Sequence, residues 1–189
     1  LCMVEKHKDK IIEHSVKDFR EDVYALGTAL LSMGYKGKHI AICSENSYYW
    51  VVTFFAVACG VGISVPVDKE LTDEEISALF TKADAQAVFF RRTYYKTVQK
   101  HMAADERCKL GVCLNKEYDD ENITTIEKLI EKGKQLIKNG DRAYLDATVD
   151  KDDLAAIVFT SGTTGANKGA ALFVNENVSF CHTNFFQSK

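Results

Sequence analysis

Apolar residues recur from Phe19 at Val23, Leu26, Leu30 and Met33, in alternating steps of four and three. That spacing puts them on one face of a helix, and Gly34 supplies the stop. After Gly37 the run His39 to Cys43 is short and apolar, as a strand buried on both faces would be. Thr72 and Glu75 form a capping box that opens a helix with Ile76, Leu79, Phe80 and Ala83 on one side. A strand over Ala85 to Phe90, a helix from about Tyr94 to Ala104 and a strand over Leu110 to Leu114 continue the alternation. A second box at Thr124 and Glu127 is expected to open a helix with Ile126, Leu129, Ile130 and Ile137 inward, closed near Gly140. Ala155 to Phe159 then reads as a buried strand running into a glycine-rich loop. Wholly apolar strands alternating with amphipathic helices predict an α/β domain: a mostly parallel sheet with helices on both faces.

The stretch between Glu45 and Asp68 contains no charge and is long enough to span a membrane. Gly60, Gly62, Ser64 and Pro66 crowd its second half, however. A helix over Asn46 to Cys59 followed by a strand over Ile63 to Val67 accounts for it better. With 189 residues, 46% of them hydrophobic, the chain has room for one sizeable core, so residues 1–189 are expected to form one unit. Only one proline occurs, which argues against Pro-rich linkers and long disordered tails. A net charge of -3 gives no basic excess for nucleic acid or an anionic membrane.

The six cysteines lack the Cys-x-x-Cys spacing of a zinc site, and the five histidines do not cluster with them. Several lie inside apolar runs, so reduced structural thiols in a cytoplasmic protein are expected. Arg91, Arg92, Lys96, Lys100 and His101, interleaved with Tyr94 and Tyr95, read as a solvated helix face rather than a nucleic-acid patch. Trp50, Tyr48, Tyr49, Phe54 and Phe55 read as core aromatics on a buried helix. His182 has neither an orienting acid nor a nucleophile nearby in sequence and is assigned no role.

The chemistry concentrates in Thr160 to Gly169, TSGTTGANKG. Three glycines allow a tight turn that aims amides inward, Thr160, Ser161, Thr163 and Thr164 add hydroxyls, and Lys168 adds a point charge. This is equipment for gripping phosphate oxygens. On composition alone it is also what a solvated hairpin loop contains. It departs from the P-loop of NTPases, since Asn167 precedes the lysine where glycine should stand and Gly169 follows where a magnesium-binding hydroxyl should stand.

The segment Ile157 to Gly169, IVFTSGTTGANKG, resembles the phosphate-binding signature of the adenylate-forming superfamily, which includes acyl-CoA synthetases, luciferases and peptide-synthetase adenylation domains. The family usually has proline where Asn167 stands. Phe19 to Met33 resembles its early helix, and Gly37 to Asp68 its first strand-helix-strand unit. The resemblance implies the N-terminal subdomain of the adenylate-forming fold, and an enzyme that joins a carboxylic acid to CoA through an acyl-adenylate, using ATP. It also implies that Thr160, Ser161, Gly162, Thr163, Thr164, Gly165 and Lys168 grip the β- and γ-phosphates. The likeness is closest to long-chain fatty-acid–CoA ligases.

Past Leu172 the family's Ser/Thr-His-x-Asn stretch is replaced by Phe173, Val174, Asn175 and Glu176. Its adenine-binding aromatic motif, the Thr-Glu that helps hold Mg2+, the ribose-binding Asp and the C-terminal catalytic lysine all have no counterpart here. The chain is therefore expected to be the first part of an AMP-binding domain, inactive alone, with no catalytic residue and no metal ligand of its own. Its partners would be a carboxylic acid, ATP and CoA, with neither nucleic acid nor a transmembrane segment. Self-association through an uncovered apolar face is expected. The setting implied is cytoplasmic, peripheral at the membrane if the acid is a long-chain fatty acid. The alternatives are a non-catalytic nucleotide- or pyrophosphate-binding module and an unrelated scaffold of flavodoxin-like shape.

Overall fold

The computed structural model describes residues 2–7, 10–115, 120–161 and 167–174. The elements are β1 (Met3–His7), β2 (Lys10–His14), α1 (Val16–Ser32), β3 (His39–Cys43), α2 (Tyr48–Ala56) and β4 (Ile63–Pro66). They continue with α3 (Asp73–Lys82), β5 (Ala85–Phe90), α4 (Tyr95–Ala104), β6 (Leu110–Cys113), β7 (Ile123–Thr125), α5 (Ile126–Lys138), β8 (Leu154–Ser161) and β9 (Asn167–Phe173). Strands β3 to β9 form one sheet in the order β7-β6-β5-β3-β4-β8-β9, parallel throughout except that β9 returns antiparallel to β8.

The alternation of strand side chains sorts the core into two layers. Ile40, Ile42, Ala87 and Phe89 face α1, α2 and α5, where Leu26, Leu30, Val52 and Ile126 are buried. Ala41, Cys43, Val88 and Phe90 face α3 and α4, meeting Ile76, Phe80 and Val98. The α/β architecture expected from the sequence is present, with helices on both faces. The periodic helix begins three residues before Phe19 because Ser15 and Asp18 form a capping box: the Asp18 amide donates to Ser15 Oγ at 3.1 Å and the Ser15 amide to Asp18 Oδ2 at 3.2 Å.

The charge-free stretch divides as expected into a helix and a strand, joined at Val57–Val61 by a kink in which Cys59 and Gly60 leave helical backbone geometry. Gly62 closes that kink where a Cβ would lie 2.2 Å from the Lys38 carbonyl oxygen, so a side chain there would hit backbone. Among the described residues no helix is long and apolar enough to cross a membrane.

Two expectations are corrected. The N-cap of α5 is Thr125, which accepts from the Lys128 amide at 3.3 Å, and the box at Thr124 and Glu127 does not form. Thr124 is instead a β7 residue in register with Val112, so its backbone is committed to the sheet ladder. His101 does not lie on a solvated face: it is 2% exposed and packs edge-on against Phe80, 5.2 Å between ring centroids. Helix α4 is rotated so that Thr97, Val98 and His101 face inward, while Arg92, Lys96 and Lys100 stay exposed. Burial holds the His101 imidazole below its ordinary pKa, in the neutral form.

The β1–β2 hairpin had no signal in the hydrophobic pattern, since its strands carry lysine, glutamate and histidine. It is fastened by tertiary contacts. Glu5 Oε1 accepts from the Tyr48 amide at 2.7 Å, at the start of α2, and the His14 ring stacks on Tyr48 at 3.6 Å. Tyr48 in turn donates its hydroxyl hydrogen to Asp22 Oδ2 on α1 at 2.9 Å.

Candidate functional site

All the parallel strands deliver their carboxyl ends to one edge of the sheet, where ligands of such folds bind. The tip of β8–β9 lies on that edge. The hairpin register pairs Phe159 with Gly169, Thr160 with Lys168 and Ser161 with Asn167. Directly opposed residues share a face, so the Thr160 hydroxyl and the Lys168 ammonium stem stand side by side, on the side of the hairpin opposite Phe159. Both are exposed, and no acidic group among the described residues pairs with Lys168. A hydroxyl donor beside an uncompensated ammonium is a local anion-attracting surface. Of the other loop residues singled out from the sequence, Gly162, Thr163, Thr164 and Gly165 lie outside the described residues. Ser161 is described in its backbone alone.

A second cluster occupies the centre of the same edge. The order β4-β3-β5-β6-β7 reverses chain direction at β3, and the loops after β3 and β5 leave toward opposite faces, which defines a switch point. Here the Glu45 carboxylate and the Arg91 guanidinium form an ion pair across the two loops, and the Arg91 amide donates to the Cys43 carbonyl at 3.2 Å. The Arg92 amide donates to Asn115 Oδ1 at 2.9 Å, and Tyr94 Oη to the Lys69 carbonyl at 3.0 Å, tying in the loops after β6 and β4. Lys69 itself is paired with Glu70 at 2.7 Å. Partial burial pushes the Glu45 carboxyl up, but hydrogen bonds from Arg91 and its own amide, with the nearby positive charges, outweigh this and hold it below the ordinary glutamate value. The charges at the switch point thus largely satisfy one another, in contrast to those at the hairpin tip. The Glu45–Arg91 pair spans a separation of 46 residues with no local signal that could have revealed it.

Cys43, Cys108 and Cys113 are buried free thiols, as expected of structural cysteines; Cys59 is also buried and Cys2 is exposed, and Cys181 lies outside the described residues. Burial pushes the Cys43 and Cys108 thiols up to about 12, which removes them as nucleophiles at neutral pH. Of the aromatics, Tyr48 is buried, and Tyr49, Trp50, Phe54 and Phe55 pack half-buried against the core. Phosphate fits the donors present at the hairpin, whereas Mg2+ does not: among the described residues no group of three or more carboxylate, histidine or cysteine side chains could hold a metal ion.

The AMP-binding enzyme family profile matches residues 3–188, and the chain belongs to that family of adenylate-forming ligases. It is 29% identical over 181 residues to long-chain-fatty-acid–CoA ligase 5 of Mus musculus, covering 87% of this chain and 25% of that protein. It is 27% identical over 177 residues to the mitochondrial medium-chain acyl-CoA ligase of Danio rerio, covering 85% of this chain and 29% of the relative. The chain spans about a quarter to a third of the length of such curated relatives. Its fold resembles the adenylation domain of the carboxylate reductase of Mycobacterium chelonae, with a TM-score of 0.74 at 17% identity, covering 90% of this chain and 31% of that one. An anthranilate CoA ligase solved with anthranoyl-AMP matches with a TM-score of 0.72 at 18% identity, over 88% of this chain and 30% of that one.

Proposed function

We propose that this chain is the subdomain that carries the phosphate grip of an ATP-dependent acid–CoA ligase, and that it is inactive alone. The observation that carries the proposal is that Thr160 and Lys168, both within TSGTTGANKG, stand opposite each other on β8 and β9 at the carboxyl edge of the parallel sheet. In the reaction a carboxylate oxygen attacks the α-phosphorus of ATP, giving an acyl-adenylate and pyrophosphate. The CoA thiol then attacks the acyl carbon and AMP leaves. Thr160, Ser161, Gly162, Thr163, Thr164, Gly165 and Lys168 would hold the β- and γ-phosphates by amide and hydroxyl donors and one ammonium. Their contribution would be orientation and charge neutralisation as pyrophosphate departs. The likeness to fatty-acid–CoA ligases supports a fatty acid, of long chain, as the acid. A cytoplasmic setting accords with the buried free thiols. Any Mg2+ that accompanies ATP would find its ligands elsewhere in the catalyst, as would adenine and ribose.

Calorimetry with ATP and with inorganic pyrophosphate tests the grip. Binding is expected, and Lys168→Ala should weaken it about tenfold or more, since a hydrogen bond to a charged group contributes about 1.5–3 kcal/mol. Absence of heat at millimolar ATP would overturn the assignment. Carboxylate-dependent exchange of labelled pyrophosphate into ATP by this chain alone would overturn its inactivity.

A further inference from the structure

Strand β8 is in ladder register with β4 at a single position, Ser64 with Ala156. Strand β8 pairs with β9 from Leu154 to Ser161, and its inward side chains anchor this end of the hairpin to the body. Ile157 and Phe159 pack half-buried against the layer containing Ile76, Leu79, Phe80 and Ala83. Phe159 is the last of these, one residue before Thr160. Two contacts define its ring. The Lys82 ammonium, from the last turn of α3, stands 5.7 Å from the ring centroid. On the opposing strand the ring lies against Gly169: a Cβ there would come within 3.3 Å of Phe159 Cε1 and 3.2 Å of Ile157 Cγ2. A bare glycine lets an aromatic ring settle across its neighbour strand, and an ammonium near the ring adds a cation–π attraction.

We propose that Phe159 is a positioning residue for the phosphate grip: seated by Lys82 and admitted by Gly169, its ring fixes the hairpin tip to the body and so sets where Thr160 and Lys168 stand. The inference rests on the reading of the hairpin as a phosphate grip, but its geometric half is independent of that reading. It assigns to Gly169 a packing duty on β9. It also makes α3 part of the site, although no residue of that helix reaches the tip in sequence.

The test measures, in this chain, affinity for ATP and inorganic pyrophosphate by calorimetry and amide hydrogen exchange across β8 and β9. Phe159→Leu should weaken both ligands about fivefold and speed exchange at Thr160 and Lys168 to a similar extent, while Phe159→Tyr, which keeps the ring, should restore both. Lys82→Met should weaken binding about twofold to threefold and Lys82→Arg should not. Gly169→Ala should act in the same direction as Phe159→Leu. If Phe159→Leu fails to fold, the exposed Lys82 pair decides. Unchanged affinity and unchanged exchange in a folded Phe159→Leu or Lys82→Met protein would overturn the proposal. If the unmodified chain binds neither ligand, the phosphate reading falls, and the exchange of the hairpin amides alone decides whether Phe159 positions the tip.

Discussion

The helical body and the β8–β9 hairpin belong to one sheet yet are built on opposite terms. In the body α1 and α5 approach so closely that a Cβ on Gly133 would lie 1.8 Å from the Ala25 carbonyl oxygen. Tyr144, 1% exposed, fills the space beside Gly27 and Gly60 and donates to the Phe55 carbonyl at 3.4 Å. At the hairpin the side chains of Thr160 and Lys168 face solvent. Residues that hold the fold and residues that offer chemistry are thus different residues in different places, so substitutions should separate stability from ligand affinity.

The largest effect is expected from Gly133→Ala, which drives a methyl into backbone and should cost about 3 kcal/mol or more in urea unfolding. Tyr144→Ala should cost about 3–4 kcal/mol by leaving a cavity. In either variant the protein that remains folded should bind pyrophosphate as the unmodified chain does; a parallel loss of affinity would break the separation.

The ion pair at the switch point is a milder probe. Its side chains are 42% and 39% exposed, so solvent screens it, and Glu45→Gln should cost no more than about 1 kcal/mol, less at high salt. Because the folded-state pKa of Glu45 is depressed, its contribution is full above the ordinary glutamate value near 4.3 and is lost as pH falls through the lower folded value. Acid unfolding of Glu45→Gln should therefore lack that component, and an unchanged acid profile would show the pair to be idle.

Ser64→Ala should have the smallest effect. The Ser64 hydroxyl is fully buried and has no hydrogen-bond partner among the described residues, so its removal should leave stability unchanged or raise it by up to about 1 kcal/mol. Destabilisation would mean that the hydroxyl helps hold β4 against β8.

How much was legible in the sequence depended on how local each feature is. The helix through Phe19, Val23, Leu26 and Leu30, the Thr72–Glu75 cap and the apolar strands are encoded within a few residues, and they stand as read. The cap at Thr125 was placed one residue early because the commitment of Thr124 to β7 is a pairing between distant segments. The inward turn of His101 follows from where α4 lands on the sheet. The β1–β2 hairpin has no apolar rhythm, and what fastens it, Glu5 and His14 on Tyr48, is separated from its partner by more than thirty residues. At the candidate site the loop was visible because glycine, hydroxyl and lysine are contiguous. Phe159, Lys82 and Gly169 were not visible as a unit, since nothing in the chain order relates the end of α3 to the far strand of the hairpin.

The sequence by itself therefore determined the α/β class, most element positions and the loop proposed to grip phosphate, because periodicity, capping and turn composition act over a few residues. The tertiary structure decided which charges neutralise one another, which helix face is buried and what holds the hairpin tip. Those outcomes depend on contacts between segments brought together by the sheet order, and no local pattern encodes that order.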